Sequence, residues 1–467
     1  MPAVVDTESL LSALGEGLER AAAGERRRLV SATAPAPELD PCALAFEARL
    51  ANDRWFCWEQ PDRDFALAAI GSAHEIVSRG PGRFEEVAAE CLSLARERVR
   101  GGGDELPAGA GPVWTGGFAF AEDGGATPTW SSFPPALMVL PELSLCRGGG
   151  EVHLTLNAIG GPGVEPGRVL ERLRSRLASV RQASLPMLDP ARHGATEIES
   201  VRPPGDFESA VAAAVQRIRA GDLQKVVLAR EVLVRAPAAY DVAAVFGAMR
   251  ELFPGCFCFC CGTPEGAFIG ASPELLIRRS GASASTVALA GSARRSSDPS
   301  VDGHIGERLL QSPKDRSEHE IVVRRIVRRL RPYSVWVEAA PEPGLIKIAN
   351  IQHLGTPIHA QLAEPRSAIE LAGMLHPTPA VGGEPWPGAA TAMVELEQLD
   401  RGWYAAPIGW MDAAEDGEFC VGLRSALLRD REAHLFAGNG IVADSDPEAE
   451  LAETEPKLGA MLPLLSG

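Results

Sequence analysis

The sequence predicts an α+β fold, a large mixed α/β sandwich of mainly antiparallel sheets flanked by helices. Three observations predict it. Strand-like runs recur along the chain, some joined by short glycine-rich turns such as CRGGG at 146–150, which suit antiparallel neighbours. Helical periodicity is confined to a few segments and does not alternate with strands in the βαβ rhythm of a parallel sheet. At 467 residues, 45% of them hydrophobic, the chain can bury a large core, and a single domain over 1–467 is expected.

The elements follow in order. The segment through Arg28 is an amphipathic helix without the basic-then-apolar order of a signal peptide. RGGGDELPAGAGP at 100–112 reads as a loop, and PVWTGGFAFAE, PALMVLPELSLCR and GEVHLTLNAIG read as strands. A helix is expected over 165–182, then a polar stretch at 185–205 as the best boundary candidate, then a helix over 206–220. HIGERLLQSPKDRSEHEIVVRRIVRRL reads as one long helical region with Ile321, Val322, Ile326 and Leu330 toward the core. GWYAAPIGWMDA, GEFCVGLRSALLRD and AHLFAGNGIV are expected strands, and a helix closes the chain from about Pro447.

Composition excludes several function classes. A net charge of −17 argues against a nucleic-acid or anionic membrane surface, and no apolar run approaches a membrane span. A cytoplasmic protein with reduced thiols is expected. An anionic substrate would need local cations or a metal inside so acidic a chain. Four of the nine cysteines cluster in FPGCFCFCCG. Cys256, Cys258 and Cys260 alternate with Phe257 and Phe259, the pattern of a buried strand, and no nearby histidine supplies a further metal ligand.

Several ionisable groups stand where apolar side chains belong. In GDLQKVVLARE, Lys225 shares a strand face with Leu223, Val227 and Ala229. An ammonium there costs free energy unless it is paired or loses its proton. Glu274 enters an apolar strand in GASPELLIRR, and the two together have the chemistry of an acid/base pair, although either alone also fits a structural ion pair. Arg424, among Val421, Leu423 and Leu427, calls for a carboxylate partner.

Two helices carry acids at helical spacing: Asp315 and Glu318 in one; Glu450, Glu453 and Lys457 in the other. Oxygen donors without cysteine suit Mg²⁺, although each set taken separately is more often a solvated helix face. Gly438 and Gly440 in AGNGIV, and Gly291 with Ser292 in LAGSARR, fit either close backbone approach to an anion or simple turns and strand ends.

Those segments, in that order, resemble the chorismate-utilising enzymes. LQKVVLAREV, GASPELLIRR, LAGSARR, PKDRSEHEIVV, IQHLGTPI, LHPTPAVGGEP, DRGWYAAPIGWMDA, FCVGLRSALL and FAGNGIVADSDPEAELAETEPKLG carry the resemblance over roughly 205–460. It implies that family's fold, with a variable half over 1–200 and a catalytic half over 201–467.

The implied activity is Mg²⁺-dependent conversion of chorismate to isochorismate, a precursor of menaquinone, phylloquinone, siderophores and salicylate. Lys225 would be the base that activates water toward ring carbon C2, and Glu274 the acid that protonates the departing C4 hydroxyl. Glu318 and Glu453 would hold Mg²⁺, with Asp315 and Glu450 beside them. Arg424, Lys457, Gly438 and Gly440 would bind substrate carboxylates. Gly291, Ser292, His353, Ala380 and Tyr404 would line the substrate.

A lysine at position 225, where ammonia-using members usually lack one, implies water as the nucleophile. Ala380, where pyruvate-eliminating members tend to carry threonine, implies that the reaction stops at isochorismate. A salicylate-forming enzyme and an inactive chorismate-binding homologue are the alternatives. The resemblance also implies a monomer.

Overall fold

The structure, a computed structural model, describes residues 5–101, 106–189, 195–348 and 350–466. Parts of the expected loop at 100–112 and of the boundary stretch at 185–205 therefore lie outside the described residues.

Among the described residues the strands form two sheets, of thirteen and ten strands, and the registered pairs are antiparallel except for Arg28–Pro35 against Val99–Gly101. Both halves of the chain contribute to each sheet. Phe257–Thr263 pairs with Trp55–Gln60 in the larger sheet, and Pro407–Asp412 pairs with Val113–Phe118 in the smaller.

The cysteine-rich strand shows why one sequence pattern can serve two cores. Phe257, Phe259 and Cys261 enter one apolar cluster, while Cys256, Cys258 and Cys260 enter another. With side chains alternating across the pleat, thiols fill one side and rings the other. All four cysteines are free and buried. The N-terminal helix, Thr7–Ala22, buries Leu10, Leu11, Leu14 and Leu18 in the second cluster.

Four expected elements are redrawn. PALMVLPELSLCR is two strands: Ala136–Leu140 in the smaller sheet and Leu143–Gly148 in the larger, parted at Pro141, which has no N–H for a ladder. GEFCVGLRSALLRD likewise splits into Gly417–Val421 and Ser425–Arg429, again in different sheets.

The long helical region breaks into Pro299–Gln311 and Pro313–Leu330. Pro313 disfavours helix in Ser312, which instead caps the second helix by accepting the Asp315 N–H at 3.3 Å. The helix expected over 165–182 spans Pro166–Leu177.

Candidate active site

Two crossings from sheet to sheet bring buried charges to one place. The chain passes from the larger sheet to the smaller between Gly266–Ser272 and Leu275–Ser280, and returns between Gly417–Val421 and Ser425–Arg429. The crossings run side by side: the Val421 N–H donates to Glu274 O at 3.0 Å and the Ala271 N–H to Arg424 O at 3.1 Å. Arg424 is therefore not inside a strand as expected. It sits in the connector with φ of +49°, a left-handed conformation unusual for a side-chain-bearing residue.

Glu274 is 5% exposed, and burial, opposed by Lys225, pushes its carboxyl up to about 8. Arg424 Nη2 lies 3.1 Å from His353 Nε2, and His353 Nδ1 lies 3.3 Å from the Gly291 carbonyl. A guanidinium only donates, so Nε2 accepts and Nδ1 carries the proton. Burial, with Arg424 and Lys457, pushes His353 down to about 3, which keeps the ring neutral. Arg424 Nη1 is buried without a hydrogen-bond partner, a donor left open for an anion.

Gly291 is neither a turn nor a strand end. It is the bulge in strand Ser283–Arg294 where register slips against Ile351–Leu362, with φ of +73°. The bulge sets Ser292 Oγ 2.9 Å from Glu453 Oε1. Gly438 and Gly440 lie within strand Glu432–Ile441, opposite Ala229 and Val227. Beyond Leu435 that strand is paired on one side only among the described residues, so an open backbone edge adjoins the cavity.

Helices Pro313–Leu330 and Pro447–Leu458 deliver the four acids. Glu318 Oε1 is 2.8 Å from Lys225 Nζ, an ion pair without the angular alignment of a hydrogen bond. Lys225 is thus fully buried against a carboxylate, not in a purely aliphatic and cationic pocket. A Cβ at Gly440 would overlap Glu318 Oε1 and lie 2.6 Å from Lys225 Cε, so glycine makes room for the pair.

Lys457, expected to bind a substrate carboxylate, directs Nζ at Gly438 O (3.0 Å), Asn439 Oδ1 (2.6 Å) and Glu453 Oε1 (3.0 Å). Those three acceptors use its three N–H groups, so its contacts orient Glu453. Burial alone would raise Glu453, but Lys457 and Ser292 bring its carboxyl below the usual range. Burial and the neighbouring acids raise Asp315 and Glu450.

Tyr404 stacks on Phe436 with ring centroids 5.2 Å apart, and burial pushes its hydroxyl up to about 12. Ala380 is held by its N–H to Thr378 Oγ1 at 3.3 Å. All the expected site residues except Lys225 line one cavity of about 120 Å³, and Lys225 lies behind its partner Glu318.

Among the described residues no three His, Cys, Asp or Glu side chains form a ready metal cage. The set nonetheless fits Mg²⁺. Its donors are all carboxylates, and Glu453 disfavours ionisation of both Asp315 and Glu450, a repulsion that a divalent cation relieves.

Sequence reasoning missed two cations in this wall. Lys314 reaches Glu450 at 3.4 Å. Arg401 pairs with Glu397, and donates to Val381 O at 2.8 Å and Val227 O at 3.1 Å. The i, i+4 spacing of Glu397 and Arg401 in ELEQLDRGW was the available signal.

Comparisons with known proteins place the chain in a family. Residues 16–466 match a family described as chorismate binding enzyme. The chain is 36% identical over 449 residues to the salicylate biosynthesis isochorismate synthase of Pseudomonas aeruginosa, covering 96% of this chain and 92% of that protein. It is 33% identical over 446 residues to the isochorismate synthase MenF of Bacillus subtilis, covering 94% of each. The solved structure of the menaquinone-specific isochorismate synthase MenF from Escherichia coli superposes with a TM-score of 0.79 at 27% identity, over 98% of this chain and 100% of that one.

Proposed function

The chain belongs to the chorismate-binding enzyme family, and we propose that it is an isochorismate synthase that adds water at C2 of chorismate as the C4 hydroxyl leaves. One observation carries the reading. Glu274, a carboxyl raised to about 8 and so protonated at neutral pH, lines the same cavity as the acid partner of a fully buried lysine.

In this reading Lys225 acts as the neutral amine, its ion pair with Glu318 loosened where that carboxylate would hold Mg²⁺, and takes a proton from the attacking water. An oxygen–carbon bond forms at C2, the ring double bonds shift, the C4–oxygen bond breaks, and the proton of Glu274 leaves with that oxygen as water. The reaction consumes and releases one water, so chorismate is isomerised.

The substrate is a dianion. The open Nη1 of Arg424 offers a donor to one carboxylate, and neutral His353 fixes the guanidinium. Bound Mg²⁺, held by Glu318 and Glu453 with Asp315 and Glu450 nearby, would supply positive charge for the ring carboxylate. Tyr404, Ala380, Gly291 and Ser292 shape the wall, and the open strand edge at Gly438 and Gly440 offers backbone groups.

The test is to incubate the protein with chorismate and Mg²⁺, alone, with EDTA, or with an ammonium salt, and to separate the products. Isochorismate without pyruvate, lost in EDTA, is expected. Salicylate with pyruvate, an aminated product, or no turnover would each contradict the reading.

A further inference from the structure

A second cleft, of about 190 Å³, shares the Lys225–Arg235 strand with the catalytic cavity: residues 228–231 line it, and Val227 lines the other. Trp130, Phe207, Leu228, Leu396 and Leu399 give it an apolar strip, and Glu397 and Asp400 stand at its wall. None of these side chains belongs to the acid–base and metal constellation.

Its charged groups already have partners within the protein. Asp400 accepts the N–H groups of Gly125, Thr127 and Gly402 at 3.0–3.1 Å, and the Thr127 hydroxyl at 3.0 Å. Arg202 donates to Glu397 O at 2.6 Å and to Asp206 at 3.0 Å. Arg230 holds Thr454 at 2.8 Å, and Glu231 pairs with His434 at 2.6 Å. A charged ligand would have to compete with these contacts, whereas a neutral ring would bury apolar surface against Val201, Leu396 and Leu399, beside the already buried rings of Trp130 and Phe207.

Two direct contacts join the clefts. Glu397 lines the second cleft and pairs with Arg401, which lines the catalytic cavity. The Glu397 carboxylate also accepts the Ala229 N–H at 2.9 Å, and Arg401 holds Val227 O and Val381 O, one residue from Ala380. Independently, Trp130 packs on Phe436 with centroids 5.7 Å apart, and Phe436 stacks on Tyr404.

We infer that this cleft is an effector site for a small neutral aromatic molecule, whose binding changes chorismate turnover through Glu397–Arg401 and Trp130–Phe436–Tyr404. The binding half is independent of the reaction; the coupling half rests on the function proposed above. An occupant shifts the catalytic cavity only if it favours one arrangement of that shared wall over another.

Indole is a suitable probe. Calorimetric titration of the full-length protein is expected to give saturable binding, lost in Leu399→Glu, which puts a charge in the apolar strip, and in Ala210→Phe, which fills the cleft from helix Pro204–Ala220. Thermal melts identify any variant that fails to fold, and the other variant then decides.

Indole is expected to change kcat/KM for chorismate by about fivefold or more in the wild type and not in Leu399→Glu. Absence of binding overturns the site. Binding with unchanged kinetics overturns the coupling, and an effect that survives in both variants places indole elsewhere. No chorismate turnover would overturn the function and the coupling together, while calorimetry still decides the cleft.

Discussion

Lys225 Nζ and Glu318 Oε1 lie 2.8 Å apart, packed over the α-carbon of Gly440. The pair joins the proposed base to a proposed metal ligand, so replacing the lysine has two separable effects. Lys225→Ala is expected to lower turnover roughly 10²- to 10⁴-fold, the usual worth of a positioned base. It also leaves the Glu318 side chain, 13% exposed, without its cation. Without Mg²⁺ the variant should melt below the wild type, and added Mg²⁺ should recover part of the loss. Full activity in a folded Lys225→Ala protein would exclude its role as base.

Gly440→Ala tests the same pair from below. Its methyl group would meet Glu318 Oε1 and Lys225 Cε, so the ion pair must move. At Gly438 a methyl group would instead meet backbone, 2.9 Å from Leu228 O. Gly440→Ala is expected to lose activity about tenfold or more with a small change in melting temperature, and Gly438→Ala to lose stability first. Steady-state kinetics beside thermal melts distinguish them.

The pH profile should report Glu274. A proton donor works in its protonated form, so kcat/KM is expected to fall as pH rises through about 8. Glu274→Gln should be nearly inactive and lack that limb. Stability carries the same signature. The folded-state carboxyl is raised from 4.5, so stability present below 4.5 is lost as pH rises toward 8. The glutamine variant should therefore melt higher, relative to wild type, at pH 9 than at pH 5.

Arg424→Lys should not behave as a conservative change. Lysine lacks the planar fork that lets one nitrogen meet His353 while another stays open to a carboxylate. A drop in kcat/KM of about tenfold or more is expected, corresponding to a lost charged hydrogen bond of about 1.5–3 kcal/mol. Unchanged kcat/KM would show that Arg424 does not meet substrate.

Part of the site was legible in the sequence because charges interrupt apolar patterns at Lys225, Glu274 and Arg424, whereas His353, Ala380 and Tyr404 came only with the family resemblance and Lys314 and Arg401 carried no such signal. Periodicity likewise exposed the acids at 315/318 and 450/453 as helix faces, and the cysteine strand as core. Their mutual placement was not legible. A run such as FCVGLRSALL shows which side chains alternate, but not that the chain changes sheets at Arg424. The pairing of Lys225 with Glu318, and the three acceptors around Lys457, depend on helices docking onto strands far away in sequence. No local pattern encodes that contact. The bulge at Gly291 was hidden similarly, because register slips only against the partner strand.

Lys225 and Glu274, as proposed, add solvent water to the ring. Turnover of chorismate in H₂¹⁸O, followed by mass spectrometry of the product, tests this most directly. Isochorismate carrying one solvent oxygen at its new C2 hydroxyl is expected. Isochorismate formed with only the original oxygen would mean that the hydroxyl migrates within the substrate, and would rule out attack by solvent water.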